Sequence, residues 1–459
     1  MPSDAPAPAA PTDGSGPLYR LLRRVIAVRP AEARALAWSW LYVFALFLAY
    51  YVLRPIRDEL GVAGGVRNLP WLFTGTLVAM LAVNPLFAAA VRRWPRERFI
   101  ALTYRFFMLN LLAFMALLAV ATPEQHVWIG RAFFIWVSVF NLFVISVFWS
   151  FMVDVFDTEQ GKRLFGFLAA GATLGGIAGS ALTSGFVEHL GQTWLLLASV
   201  ALLEVAVFAV RRLSRLSDAF RHPVRGDDPH TAVGGGVFSG VTRTFRSPYL
   251  LGIGFYIVFY AVTSTFLYFQ QATIAEANFP TRAARTAFFA NIDLWVNVLT
   301  LFFQLFLTGR LVGWLGVAAA LGTLPLLSVA GFAALATAPT VGVFVAVQVT
   351  RRVGNFALAR PTREVLFTSV PREDRYKAKN FIDTVVYRGG DQVGSWAYAG
   401  LIALGLSMTG IAVVAVPLCV AWLGLSFWLG RRQERAEGAE TAADKPSGGA
   451  LAAPGNAAP

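Results

Sequence analysis

The chain has 459 residues, of which 56% are hydrophobic and only 14% charged, with a formal net charge of +13. A soluble chain of that length would carry about 25% charged residues spread over roughly three domains, so a mean hydropathy of +0.59 excludes a large water-soluble enzyme and makes lipid the main solvent. The basic residues fall in short clusters between apolar runs, the pattern that orients a multi-span membrane protein, so no nucleic acid partner is expected.

Residues 1–34 read as a disordered Pro/Ala-rich tail followed by a basic amphipathic helix. In that helix Leu18, Leu21, Leu22, Val25 and Ile26 recur at helical spacing, while Arg20, Arg23 and Arg24 take other faces, which suits an anionic leaflet. The next apolar run is too long for a signal peptide, and it ends in Arg54-Pro55-Ile56-Arg57-Asp58-Glu59 rather than in a small-residue cleavage site.

A span needs about 20 mainly apolar residues, and twelve such runs follow. They lie at 35–56, 70–91, 99–121, 127–150, 164–187, 193–211, 249–271, 286–308, 311–336, 338–359, 381–406 and 409–430. The expected fold is therefore an all-α membrane protein of twelve transmembrane helices. Residues 35–211 form an N-terminal six-helix half, 212–248 a cytoplasmic linker, 249–430 a C-terminal six-helix half, and 431–459 a disordered cytoplasmic tail. An even count puts both termini on one side, and the Lys/Arg content of the short loops makes that side cytoplasmic. Helical spans exclude an outer-membrane barrel, and the Ala/Arg-rich composition points to a bacterial source, so a bacterial inner membrane is expected.

Two features recur, once per half. A short basic turn at Val91–Arg98 has its counterpart at Gly309–Trp314, and Gly175-Gly176 with Ser180 has its counterpart in Gly389-Gly390 with Ser395. Together they indicate halves related by an axis along the membrane normal, as in major facilitator transporters. In the fifth span Gly171, Gly175 and Gly179 at four-residue spacing predict close helix packing.

No enzyme signature is present: there is no phosphate-binding loop of Walker type and no His-Glu-x-x-His pair. His126, His189, His222 and His230 fall in loops or span ends, the lone Cys419 lies in an apolar run, and no cofactor or metal is expected. The informative constellation ends the first span. Arg54 and Arg57 are three apart, and Arg54 and Asp58 four apart, so one helical face presents two guanidiniums beside a carboxylate. Orientation signalling does not account for basic residues on the outer side; two guanidiniums suit bidentate binding of phosphate or carboxylate. Arg105, Arg131, Glu204, Asp293, Asp383, Arg388 and Asp391 also fall within or at the edge of spans, where each needs a cavity or a partner. Arg388 and Asp391, three apart, are placed to neutralise each other. Asn291, Asp293, Asn297 and Gln304 make the eighth span too polar to face only lipid. The charge-dense stretch from Arg351-Arg352 through Arg363-Glu364 to Lys379 reads mainly as a solvated cytoplasmic loop, with a gate of switching ion pairs as the alternative.

On these residues the chain resembles the ATP/ADP translocase family of bacteria and plastids, a distant relative of the major facilitator fold. The resemblance covers most of 35–430 and is densest in three places: Val52-Leu53-Arg54-Pro55-Ile56-Arg57-Asp58; Phe148-Trp149-Ser150-Phe151 running to Lys162-Arg163; and Pro361-Thr362-Arg363-Glu364 running to Lys377-Ala378-Lys379 and Ile382-Asp383. It implies that Arg57 helps bind nucleotide phosphates, with Arg54 and Asp58 beside it. Where that family carries a lysine after Ile382-Asp383, this chain has Asp391, with Arg388 three residues earlier; either Arg388 takes the part of that lysine or the substrate differs. The expected function is thus secondary active transport, by alternating access, of a small phosphate-bearing anion of ATP/ADP type. The expected substrate-binding residues are Arg54, Arg57, Asp58, Arg105, Arg131, Asp293, Arg388 and Asp391. A proton-coupled carrier of another small molecule, with Glu204, Asp293 or Asp391 titrating, and a non-transporting receptor or scaffold are the alternatives.

Overall fold

The computed structural model describes residues 19, 20, 22, 26, 28–30, 32–94, 96–220, 239–368, 370, 378, 379 and 381–443. The expected tail at 1–17, most of the basic amphipathic helix, His222 and His230 of the linker, residues 371–377 and the stretch beyond 443 lie outside them.

Among the described residues all regular structure is helical. The helices are α1 (Glu32–Ala63), α2 (Leu69–Arg93), α3 (Arg96–Val120), α4 (Pro123–Val155), α5 (Thr158–Phe220), α6 (Ser239–Arg246), α7 (Pro248–Asn278), α8 (Arg282–Phe306), α9 (Thr308–Thr337), α10 (Val341–Gly354), α11 (Arg360–Leu366), α12 (Tyr387–Ala403) and α13 (Met408–Ala443). The polar residues just before four of them serve as caps. Thr122, Ser247, Thr281 and Thr340 each accept a backbone N–H of the first turn with the side-chain oxygen, satisfying a donor that the helix leaves unpaired.

Nine helices among the described residues are long and apolar enough to cross a bilayer. The twelve apolar runs exceed that number for a physical reason. Two of the runs lie in α5, fused across Gly191, whose φ of 76° reverses the chain in a conformation that favours glycine. Two more lie in α10 and α12, of 14 and 17 residues, which are continued by the π-turns Asn355–Ala359 and Ile382–Val386. Gly309–Trp314, read as a turn, is the helical first part of α9, which breaks at Gly316.

Lipid is as apolar as leucine, so close packing rather than burial from water holds such helices together. The most extensive contact in the molecule is α1 on α5, and the glycine row makes it possible. A Cβ on Gly175 would stand 2.5 Å from the Phe44 carbonyl oxygen, and one on Gly179 equally close to that of Leu48. In the second half α12 packs on α7 through Gly390 and Gly394, where an added Cβ would stand 2.7 Å from the Ala261 Cβ and 2.9 Å from the Val262 Cα. The contact of α3 with α5 is likewise repeated by α9 with α13. Between the halves, α2 meets α12 and the first arm of α5 meets α8. Advancing each helix by six spans turns one of these contacts into the other, as a pseudo-two-fold axis along the membrane normal requires. The bundle has the major facilitator architecture.

Candidate functional site

A cavity of about 270 Å³ lies where the halves meet, close to the lower bound of ~300 Å³ for ligand sites. The first half contributes Arg54, Arg57 and Asp58 from α1, with Phe73 and Phe134 beside them; the second contributes Asp293, Arg351, Arg352, Arg388 and Asp391. Five arginines against three aspartates leave two positive charges in excess.

The pairings bring this charge into a confined space at tolerable cost, since buried ions persist only when paired and hydrogen-bonded. Arg57 donates from Nε and Nη2 to Asp58 Oδ1 at 2.9 and 2.6 Å, and the Tyr268 hydroxyl from the other half donates to the same oxygen at 2.9 Å. The Arg57 guanidinium also lies 5.1 Å from the centre of the Phe134 ring. Asp293 is shared: Arg352 reaches its Oδ1 at 2.7 Å and Arg54 at 3.3 Å, while its buried Oδ2 has no hydrogen-bond partner. Arg388 and Asp391 do face each other, 3.4 Å apart. Arg54 and Asp58, one face by spacing, are not partners: Asp58 is taken by Arg57, and Arg54 crosses to α8 in the other half.

Six of the eight residues expected in the site line the cavity: Arg54, Arg57, Asp58, Asp293, Arg388 and Asp391. Arg105 and Arg131 do not. Arg105 pairs with Glu204 at 2.9 Å, both half-exposed on the outside of the bundle. Arg131 lies 4.6 Å from the Trp128 ring centre and donates to the Gly64 carbonyl at 3.2 Å, just past the C-terminus of α1, where a cation complements the helix dipole. An ionisable group inside a span needs a partner, and the cavity is only one way to find it. Arg351 and Arg352, read as the start of a solvated loop, are instead the last turn of α10 and line the cavity; two adjacent charges end a hydropathy run whether they meet water or a polar pocket. The signal available was the apolar stretch Phe356-Ala357-Leu358-Ala359 that resumes after them.

The polar eighth span is explained residue by residue. Asn291 accepts from Ser184 at 2.6 Å across the halves, Asn297 donates to the Asp293 carbonyl, and Gln304 to that of Phe356. Among the described residues no group of three or more His, Cys, Asp or Glu stands where it could hold a metal ion.

A second cluster lies where α1 stops and α8 begins, next in the chain to Arg57 and Asp58 of the cavity. Glu59, 0% exposed, accepts from Arg285 at 3.1 Å and from Gln192 at 3.0 Å, with Arg282 3.9 Å away. Gln192 also donates to Thr286, so one carboxylate ties α1, the Gly191 break and α8 together. On the same side Trp71 packs edge-on against Trp396, and Thr74 donates to Gln392. At the opposite end Glu32 pairs with Arg163, Arg363 with Asp383 and Lys379 with Glu364. Each of those pairs stays within one half.

No protein-family model matches the chain. In sequence it is 24% identical to ADP,ATP carrier protein 1 of Chlamydia muridarum over 466 aligned positions, covering 85% of this chain and 87% of that one. It is 23% identical to the protein of the same name from Chlamydia trachomatis, over 64% of each chain. The chain thus spans just under two thirds of the length of one such relative and most of the other. In structure it resembles a bacterial homologue of the iron transporter ferroportin in an inward-facing state, with a TM-score of 0.60 at 13% identity over 89% of this chain and 99% of that one. It also resembles a bacterial homologue of the lysosomal transporter Spinster, inward-facing and unoccupied, with a TM-score of 0.56 at 15% identity and the same coverage. The nucleoside transporter NupG gives 0.52 at 13% identity, over 89% of this chain and 99% of that one. These likenesses agree with the major facilitator fold, and the sequence relatives agree with the resemblance to ATP/ADP translocases.

Proposed function

We propose that this chain is a secondary active transporter that exchanges phosphate-bearing anions of ADP/ATP type by alternating access. The observation that carries the proposal is the cavity between the halves, with two arginines from one half and three from the other, and with positive charge in excess of carboxylate. Guanidiniums offer paired donors that match phosphate oxygens, and a site shared by two bodies is what alternating access uses. Arg54 and Arg57 act as phosphate clamps; Asp58, Asp293 and Asp391 orient the arginines. The names of the chlamydial relatives support nucleotides as the class of anion.

The moving bodies are the six-helix halves 35–211 and 249–430, in a twelve-span chain of a bacterial inner membrane with both termini cytoplasmic. On that topology the Glu59 cluster is the outer closure. The cross-half contacts at that end support an inward-open state.

The test is uptake of labelled ATP into proteoliposomes with and without internal ADP, with Arg57→Ala as control. Uptake that requires internal ADP and is lost in the variant is the expected result. Absence of uptake by folded, inserted protein refutes nucleotide exchange, and full uptake by Arg57→Ala refutes the clamp.

A further inference from the structure

The five arginines of the cavity are not equivalent. Arg54, Arg57, Arg352 and Arg388 each have an aspartate within 3.4 Å. Arg351 has none among the described residues, although it is only 3% exposed. Neutral groups hold it: Nε donates to Ser328 at 2.8 Å, Nη1 to Ser264 at 3.0 Å, and Nη2 to Thr263 at 2.5 Å and to the Tyr260 carbonyl at 3.4 Å. The rings of Tyr260 and Trp422 lie at 5.5 and 6.0 Å from its guanidinium.

A buried cation held only by hydroxyls, a carbonyl and ring faces is fixed in position but keeps its charge uncompensated. That is costly in the empty protein and favourable when an anion arrives. The other four arginines bind an anion only by releasing a carboxylate, or by sharing with it. Arg351 breaks no ion pair to do so. Acceptors from α7 and α9 pin it, so little side-chain entropy remains to be lost on binding.

We infer that Arg351 is the primary anchor for the anionic group of the substrate, the cation a phosphate meets before any aspartate lets go of its arginine. The inference rests on the proposed reading of the cavity as an anion site, but it does not require the anion to be a nucleotide. The shared Asp293, with a free buried oxygen and two arginines, is then the first internal carboxylate to be displaced. Engagement of Arg54 follows capture at Arg351, and it draws the first half towards the second.

The experiment measures the binding of ATP and of tripolyphosphate to purified protein by calorimetry, for the parent, Arg351→Lys and Arg351→Gln, alongside the thermal stability of each without ligand. Loss of a charge-assisted hydrogen bond predicts ~10- to 100-fold weaker binding of both anions to Arg351→Gln. Arg351→Lys keeps the charge without the planar fork and falls between, about three- to tenfold weaker than the parent. A purely structural role would lower stability in both variants without this order. Parental affinity in Arg351→Gln, or equal loss in both variants, overturns the inference. If Arg351→Gln does not fold, Arg351→Lys decides: unchanged affinity overturns, a three- to tenfold loss supports. A parent that binds tripolyphosphate in this order but exchanges no nucleotide sinks the nucleotide reading and leaves Arg351 as the anchor. A parent that exchanges nucleotide, with Arg351→Gln binding as before, does the reverse, and a folded parent that binds neither anion overturns both.

Discussion

Glu59→Gln tests whether the outer cluster is a latch. Glu59 is wholly buried and meets Arg285, Arg282 and Gln192, so it ties the first half to the second at one end only. Removing one partner of a buried ion pair costs about 3–5 kcal/mol, because the other charge is left uncompensated. The amide keeps one acceptor for Arg285, and Arg282 is partly exposed, so the lower end, about 3 kcal/mol, applies. The cost falls on the state in which the latch is closed. At about 1.4 kcal/mol per tenfold, the balance moves about 100-fold towards the state in which this end is open. The assay is labelling by a membrane-impermeant maleimide of a cysteine introduced by Ser138→Cys, a partly exposed position that lines the cavity. The native Cys419 is buried and gives little background. With the latch intact the site labels from the inner face; with Glu59→Gln it labels from the outer face as well. Equal outer-face labelling with and without Glu59→Gln would refute both the latch and the orientation argument behind it.

Gly179→Val forces α1 from α5 and is expected to cost at least the 1–3 kcal/mol of an overpacked core, read as a lower melting temperature in detergent; Gly185→Ala, with nothing within 4 Å of the new Cβ, melts like the parent. Tyr104→Phe removes the buried 2.5 Å hydroxyl contact with Tyr42 and should lower stability by about 1 kcal/mol in a denaturation series, with transport retained. Asp293→Asn frees Arg54 and Arg352 from their shared carboxylate; anions then bind more tightly in calorimetry, while exchange slows because release becomes harder. Arg105→Gln, outside the cavity, leaves the KM for exchange within about twofold of the parent, and a tenfold rise would bring Arg105 back into the site.

Much of this was legible from local pattern. Apolar run length marked the spans, the glycine row marked the α1–α5 contact, and Asn291, Asp293, Asn297 and Gln304 marked α8 as a helix with polar neighbours. Arg54, Arg57 and Asp58 stand out because the expected topology puts this basic cluster on the side where orientation signalling gives it no role. What local pattern lacks is the partner. Nothing near Arg54 in sequence indicates that it reaches Asp293 across the bundle, and nothing near Glu59 points to Arg285 or Gln192. Arg105 and Arg388 look alike as intramembrane cations; one finds its carboxylate on the outside of the bundle and the other in the cavity, a difference set by helix rotation. Charge density at a span end reads as solvent exposure, which places Arg351 and Arg352 in a loop, whereas here the helix runs on through a π-turn.

The glycine-mediated seating of α1 on α5 bears on how tightly the proposed exchange is coupled. Arg54 and Arg57 sit on a helix whose neighbouring turns touch the backbone of another, so an anion that pulls on either guanidinium moves two helices as one piece. A binding helix free to bend alone would let the cavity fill and empty without reorienting the half behind it, and solute would slip through uncounted. Backbone-to-backbone contact removes that freedom and favours a stoichiometry near one molecule out for each one in.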